Sequence, residues 1–173
     1  MRPPLPRRTI DGLLRAGGWF PGRDETAEAD RLVRWRVEDS ARQGFPLRPS
    51  DRAIRFLRSF APLEFPLPLA PERRFVANPA VGYEGDAERI ADLAEYLGRD
   101  LFPVGYETVE NGLVLADGLG RFFYLHHTGP SFLGAGETRA LSSLMTGDQA
   151  PVEDHQDHRA PEAFDTPAGG GAS

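Results

Sequence analysis

Helical periodicity fills the opening third of this 173-residue chain, and strand-like patterning gathers near its end. That order limits the fold more than any other feature. The patterns run helix, helix, helix, strands, helix, three strands, helix, with no regular strand–helix–strand alternation. A parallel sheet wound with helices is therefore not expected. The pattern predicts an α+β fold, an antiparallel or mixed sheet packed against helices in a single domain.

The individual elements follow from spacing. Ile10, Leu13 and Leu14 stand at i, i+3 and i+4, which predicts a short helix over 9–16 with Thr9 as N-cap. Gly17-Gly18 and Pro21-Gly22 end it. A second helix is expected over 25–43, capped by Asp24 or Thr26, with Leu32, Val33, Trp35, Val37 and Ala41 as its apolar stripe. A third, begun by Ser50-Asp51, covers 51–60; Ala53, Ile54, Phe56, Leu57 and Phe60 form its inner face.

From 61 to 82 the chain is rich in proline, so only short edge strands are expected there, at 63–65 and 74–77. Asp86 caps a helix over 86–97 whose stripe is Ile90, Leu93, Ala94 and Leu97, with Gly98 at its end. Strands follow at 101–106, 112–116 and 121–126, the last two joined by Asp117-Gly118-Leu119-Gly120. A closing helix is expected over 137–146. Residues 1–8 read as a flexible lead and 148–173 as a disordered acidic tail, leaving 9–147 as the folded domain.

Composition narrows the chemistry. With 40% hydrophobic residues the chain can build a core without staples, since a domain of about 150 residues buries roughly 68–70% of its unfolded surface. Cysteine is absent, which removes thiol catalysis, thiolate zinc sites and disulfides. No apolar run approaches the roughly 18 residues of a membrane span. The basic, proline-containing start lacks the apolar stretch of a signal peptide, so the expected location is the cytoplasm.

Every basic residue is Arg, a bias that a GC-rich genome would produce. The charge is unevenly placed: residues 1–60 carry 13 Arg against 8 acids, 61–146 carry 6 against 12, and 147–173 carry 1 against 6. An acidic face of this kind steers a basic partner.

Candidate chemical motifs have plainer structural readings. Gly134-Ala135-Gly136 before a helix could offer amides to an anion, but so short a motif reads first as a loop. Ser131 with His126 or His127 could be drawn as a nucleophile and base; neighbouring His on a strand face opposite ways, and no acid is placed to orient either. His155 and His158 with Asp154 and Asp157 resemble a metal cluster, yet they lie in the tail. Glu107 and Glu110 could act as acid and base but read as solvated charges. The face formed by Arg52, Arg55 and Arg58 is too small a footprint for nucleic acid. Trp19 is expected to pack back over the domain, and Trp35 to be core. No enzyme activity, cofactor or metal is expected.

A run of segments in order then carries a resemblance. Gly18-Trp19-Phe20-Pro21-Gly22-Arg23, followed by a helix with an acidic start that ends at Gly44-Phe45, resembles the opening of the SUKH superfamily immunity proteins, third subgroup. Phe56-Leu57-Arg58-Ser59-Phe60, Leu101-Phe102-Pro103-Val104-Gly105 and Asp117-Gly118-Leu119-Gly120-Arg121-Phe122-Phe123-Tyr124 resemble later segments, and Ala140-Leu141, Leu144 and Gly147 fit its close. The likeness covers about Ile10 to Gly147.

The resemblance implies a bacterial antitoxin that neutralises a cognate toxin of a polymorphic system, a nuclease or nucleic-acid deaminase, by protein–protein occlusion. An intracellular adaptor or small-ligand sensor of the same fold is the alternative. The implied partner is a protein, with no nucleic acid and no membrane; the oligomeric state is left open. The matched motif residues read as structural. Because such toxins are basic, the acidic stretch 84–117 is the expected steering region, with Glu84, Asp86, Glu107, Glu110 and Asp117 as candidate partner-binding residues.

Overall fold

A computed structural model describes residues 2–153. Three helices come first: α1 (Arg7–Ala16), α2 (Thr26–Arg42) and α3 (Asp51–Phe60). The hairpin β1 (Glu64–Leu67) and β2 (Ala70–Val76) follows, then α4 (Asp86–Leu97). The chain continues through β3 (Leu101–Glu107), β4 (Leu113–Asp117), β5 (Arg121–His126) and β6 (Gly129–Ala135), and ends in α5 (Glu137–Thr146). The six strands lie side by side in sequence order, and every neighbouring pair is antiparallel. The protein is a single α+β domain, as the order of the sequence patterns predicts.

Helices cover both faces of the sheet. On one face Phe56 of α3 meets Phe75 and Phe122, with ring centroids 6.3 and 5.4 Å away. Phe60 and Phe65 extend this cluster, at 4.7 Å from Phe56 to Phe60 and 6.4 Å from Phe60 to Phe65. Leu125 is an odd number of residues beyond Phe122, so it points to the other face. There it lines a groove with Leu93 of α4. Strands covered on both sides are buried along their length, as β4 is at all five positions.

Two glycines are required by geometry. Gly98 ends α4 with φ of 70°, a left-handed conformation that costs a glycine nothing. At Gly105 a Cβ would lie 2.4 Å from the Val76 carbonyl oxygen, so only glycine lets β2 and β3 approach there.

The loop holding Trp19 and Arg23 is fastened to the end of α3. The Trp19 indole Nε1–H donates to Ser59 Oγ at 3.0 Å, and its ring stacks on Phe60 at 5.8 Å. The Arg23 guanidinium donates to the Ser59 carbonyl at 2.7 Å. Trp19 thus packs back over the domain, as expected.

Several expectations need correction. The buried stripe of α2 is Ala29, Leu32, Val33, Arg36 and Ser40. Trp35 and Ala41 face outward, and Trp35 is 41% exposed. A charge takes the inward place because a carboxylate waits for it on α4. Helix α1 starts at Arg7 with Pro6 as N-cap, ahead of Thr9. Gly85 holds the N-cap position of α4 in place of Asp86.

Gly129-Pro130-Ser131, whose composition favours a turn, opens β6. A proline is tolerated there because β6 is the sheet's edge, where an outward position need not donate. In the lead, Arg2 donates to the Thr146 carbonyl at 3.0 Å and the Leu5 amide to Ser142 Oγ at 2.8 Å. Beyond α5, Ala150 pairs with Phe132 and Val152 is buried. The rest of the expected tail, including His155 and His158, lies outside the described residues.

Candidate partner interface

The five acids singled out from the sequence have three different fates. Asp86, at the first turn of α4, is fully buried with Arg36 of α2. Arg36 Nη2 donates to its Oδ2 at 2.6 Å, Gln43 Nε2 to its Oδ1 at 3.0 Å, and the Tyr83 amide to its Oδ2 at 3.2 Å. Asp117, at the end of β4, is also buried. It accepts from the amides of Leu119 and Arg121 at 2.9 and 2.8 Å, from Arg121 Nε at 2.8 Å and from Arg99 Nη1 at 2.9 Å. Burial pushes its carboxyl above the usual range, opposed by the Leu119 amide and the Arg99 charge. Asp117 therefore fixes the β4–β5 hairpin from within.

Glu107 is the third buried acid. Its carboxylate accepts from the amides of Val109 and Glu110 at 3.0 and 3.2 Å and from the Tyr124 hydroxyl at 3.4 Å, with Arg73 at 3.4 Å. Burial, reinforced by the Glu107 charge, pushes the Tyr124 phenol far above its usual value. These three acids have no free face to offer a partner; their reading as contact residues is corrected because each is buried and already compensated by its own chain.

Glu110 is exposed but engaged by Arg73 and by His126 Nε2, the latter at 2.5 Å. Only Glu84 of the five is both exposed and free of an ion pair among the described residues.

The solvent-facing acids of α4 were missed. On α4 they are Glu88, Asp92 and Glu95, at i, i+4 and i+7, followed by Asp100 just past the helix. None of them forms an ion pair among the described residues. Tyr96 stands beside them, 42% exposed. The one arginine of α4 is turned away: Arg89 donates to Tyr83 Oη and to the His126 carbonyl, each at 2.8 Å. The signal was in the sequence, since a buried stripe of Ile90, Leu93 and Leu97 sends 88, 92 and 95 to the opposite side.

Helix α4 stands as a ridge between two grooves. One, of about 530 Å³, lies towards Pro46, Leu47 and Leu101 and has Glu95 and Asp100 on its walls. The other, of about 390 Å³, is lined by Leu93, Tyr96, Leu125, Pro130 and Val152, with Asp92 at its edge.

Elsewhere the structure does not assemble the drawn chemistry. The Ser131 hydroxyl donates to Gln149 Oε1 at 2.6 Å, and in the sheet Ser131 pairs with Tyr124. Arg58 is tied to Asp30 at 3.2 Å. Among the described residues no group of three or more His, Asp or Glu side chains could hold a metal ion. No helix among them is long and apolar enough to cross a membrane.

A family model for the SUKH-3 immunity proteins matches residues 6–147, which takes in every helix and strand from α1 to α5. The chain belongs to the SUKH-3 immunity protein family. No curated protein and no solved structure matches it. In this SUKH-3 chain the motif segments fall on structural positions. Trp19 and Arg23 dock a loop on α3, Gly105 admits β2, and Asp117 locks a hairpin. The exposed face of α4 lies outside those segments.

Proposed function

We propose that this SUKH-3 chain is an antitoxin that binds one cognate toxin domain and silences it by covering its active site. The observation that carries this is the family match, which takes in every helix and strand from α1 to α5. On this reading the chain performs no catalysis of its own, and it acts in the bacterial cytoplasm beside the toxin's substrate. The toxin is a nuclease or a nucleic-acid deaminase. Such substrates are polyanions, so their enzymes carry basic surfaces. A protein with free carboxylates along one helix is electrostatically matched to such a surface. A stable complex of this kind covers roughly 1,200–2,000 Å² in total.

The test is co-expression. The toxin domain encoded beside this chain, induced alone, stops growth; with the chain it does not, and the two co-purify in equal amounts. Growth arrest that the chain leaves unrelieved, with no co-purification, removes the antitoxin reading for that pair.

A further inference from the structure

We infer that α4 and the groove along its Tyr96 side form the docking surface, and that its occupant is a basic polypeptide segment carrying an apolar anchor. The inference rests on the antitoxin reading and adds to it the place and the chemistry of contact.

Three observations converge on this surface. The groove is mainly apolar: Leu93 and Tyr96 from α4 face Leu125, Pro130 and Val152, with Tyr96 and Pro130 the exposed members, and Arg89, Asp92 and Glu153 also line it. Tyr96 has its ring partly in solvent and no ring or hydrogen-bond partner among the described residues, whereas the Tyr83 hydroxyl accepts from Arg89. Tyrosine at the rim of a groove is a common anchor in protein interfaces.

The charge pattern then selects the occupant. Glu88, Asp92 and Glu95 run along the helix crest, and Glu84 continues the line at its start. Like charges at i, i+4 weaken a helix, and of the three only Glu88, in the first turn, is favoured by the helix dipole. A segment presenting Lys or Arg at helical spacing would neutralise the crest while seating a Leu, Ile or Phe against Tyr96. An acidic segment would be repelled from the groove's edge at Asp92, and a neutral one would gain no attraction from the crest. The Arg-rich half of a second copy of this chain is a competing occupant.

The test uses the full chain. Glu88→Arg with Asp92→Arg reverses two crest charges; Glu38→Arg with Glu72→Arg makes the same change in net charge at exposed sites away from α4. Association with the cognate toxin is followed by stopped flow at several salt concentrations. The crest variant is expected to associate about tenfold more slowly at low salt, the gap closing as screening rises, while the control follows wild type. Tyr96→Ala is expected to speed dissociation about tenfold with little effect on association. Wild-type binding that both α4 variants share unchanged overturns this surface and leaves the antitoxin reading standing. Absence of wild-type binding overturns that reading itself.

A probe independent of any toxin completes the test. A synthetic helical peptide of lysine and leucine is titrated into the isotopically labelled chain at about 0.15 M salt. Amide shifts confined to α4, Leu125 and Val152 support the inference. Shifts centred elsewhere overturn it. So does a dimer of the free chain that the crest variant dissociates, since the occupant would then be a second copy.

Discussion

The stretch from Glu84 to Asp117 contains two populations of carboxylates that composition treats as one. Asp86, Glu107 and Asp117 are buried and surrounded by donors. Glu88, Asp92 and Glu95 stand in solvent with no ion pair among the described residues. The same residue type holds the fold together in one set and leaves a surface charged in the other. What separates them is compensation. A carboxylate that has its donors within its own chain is spent on stability, while one without them still has its field to offer to another molecule.

The sharpest way to break the comparison is to remove a buried acid. Asp86→Ala leaves the buried Arg36 with only the longer contact to Asp39, at 3.4 Å, a loss of about 3–5 kcal/mol. For a domain of this size, at roughly 2–4 °C per kcal/mol, the midpoint of thermal unfolding should fall by roughly 6–20 °C. Combining it with Arg36→Met removes the stranded charge. The double variant should then be no less stable than Asp86→Ala alone. A double variant markedly less stable than the single would mean that Arg36 contributes packing rather than charge balance.

Asp117→Asn is a milder version of the same test. It keeps the side chain's shape but replaces an oxygen that accepts hydrogen bonds with an NH2 that cannot, so the donors of Arg99 and Arg121 or of the loop amides lose their partner. The expected loss is about 1.5–3 kcal/mol, read from the shift of a urea unfolding curve. Because both arginines approach from outside the sheet core, the damage should concentrate at the hairpin. Amide exchange of Leu119 and Arg121 should rise more than that of the Phe56 cluster.

The fold was legible where spacing alone decides. The stripe Ile90, Leu93 and Leu97 marks α4, and Ser50 caps α3 by accepting from the Ala53 amide at 3.1 Å. It was not legible where a residue's place depends on a distant partner. Arg36 is buried in preference to Trp35 only because Asp86 lies 50 positions away in sequence and beside it in space. Edge strand β6 was hidden by Gly129 and Pro130, whose local preference is for a turn. The site followed the same division. The acidic region was visible as a charge count, but which acids are exposed depends on burial. Only Glu84 among the chosen five is both exposed and without an ion pair among the described residues, while the outward positions of α4 could have been taken from its helical period.

The smallest effect tests the exposed population. Asp92→Arg replaces a like charge, four residues after Glu88 and three before Glu95, with an opposite one. Glutamate preceding a cation by four residues is the favourable order along a helix. Stability should therefore rise by about 0.2–0.5 kcal/mol, visible as a urea midpoint about 0.2 M higher. The same substitution should slow association with a basic partner. Opposite signs for stability and binding would separate the two populations cleanly, because every change to Asp86 or Asp117 should lower both together. A loss of stability on Asp92→Arg would instead mean that its carboxylate serves the fold, and the distinction between the two sets would fail at that residue.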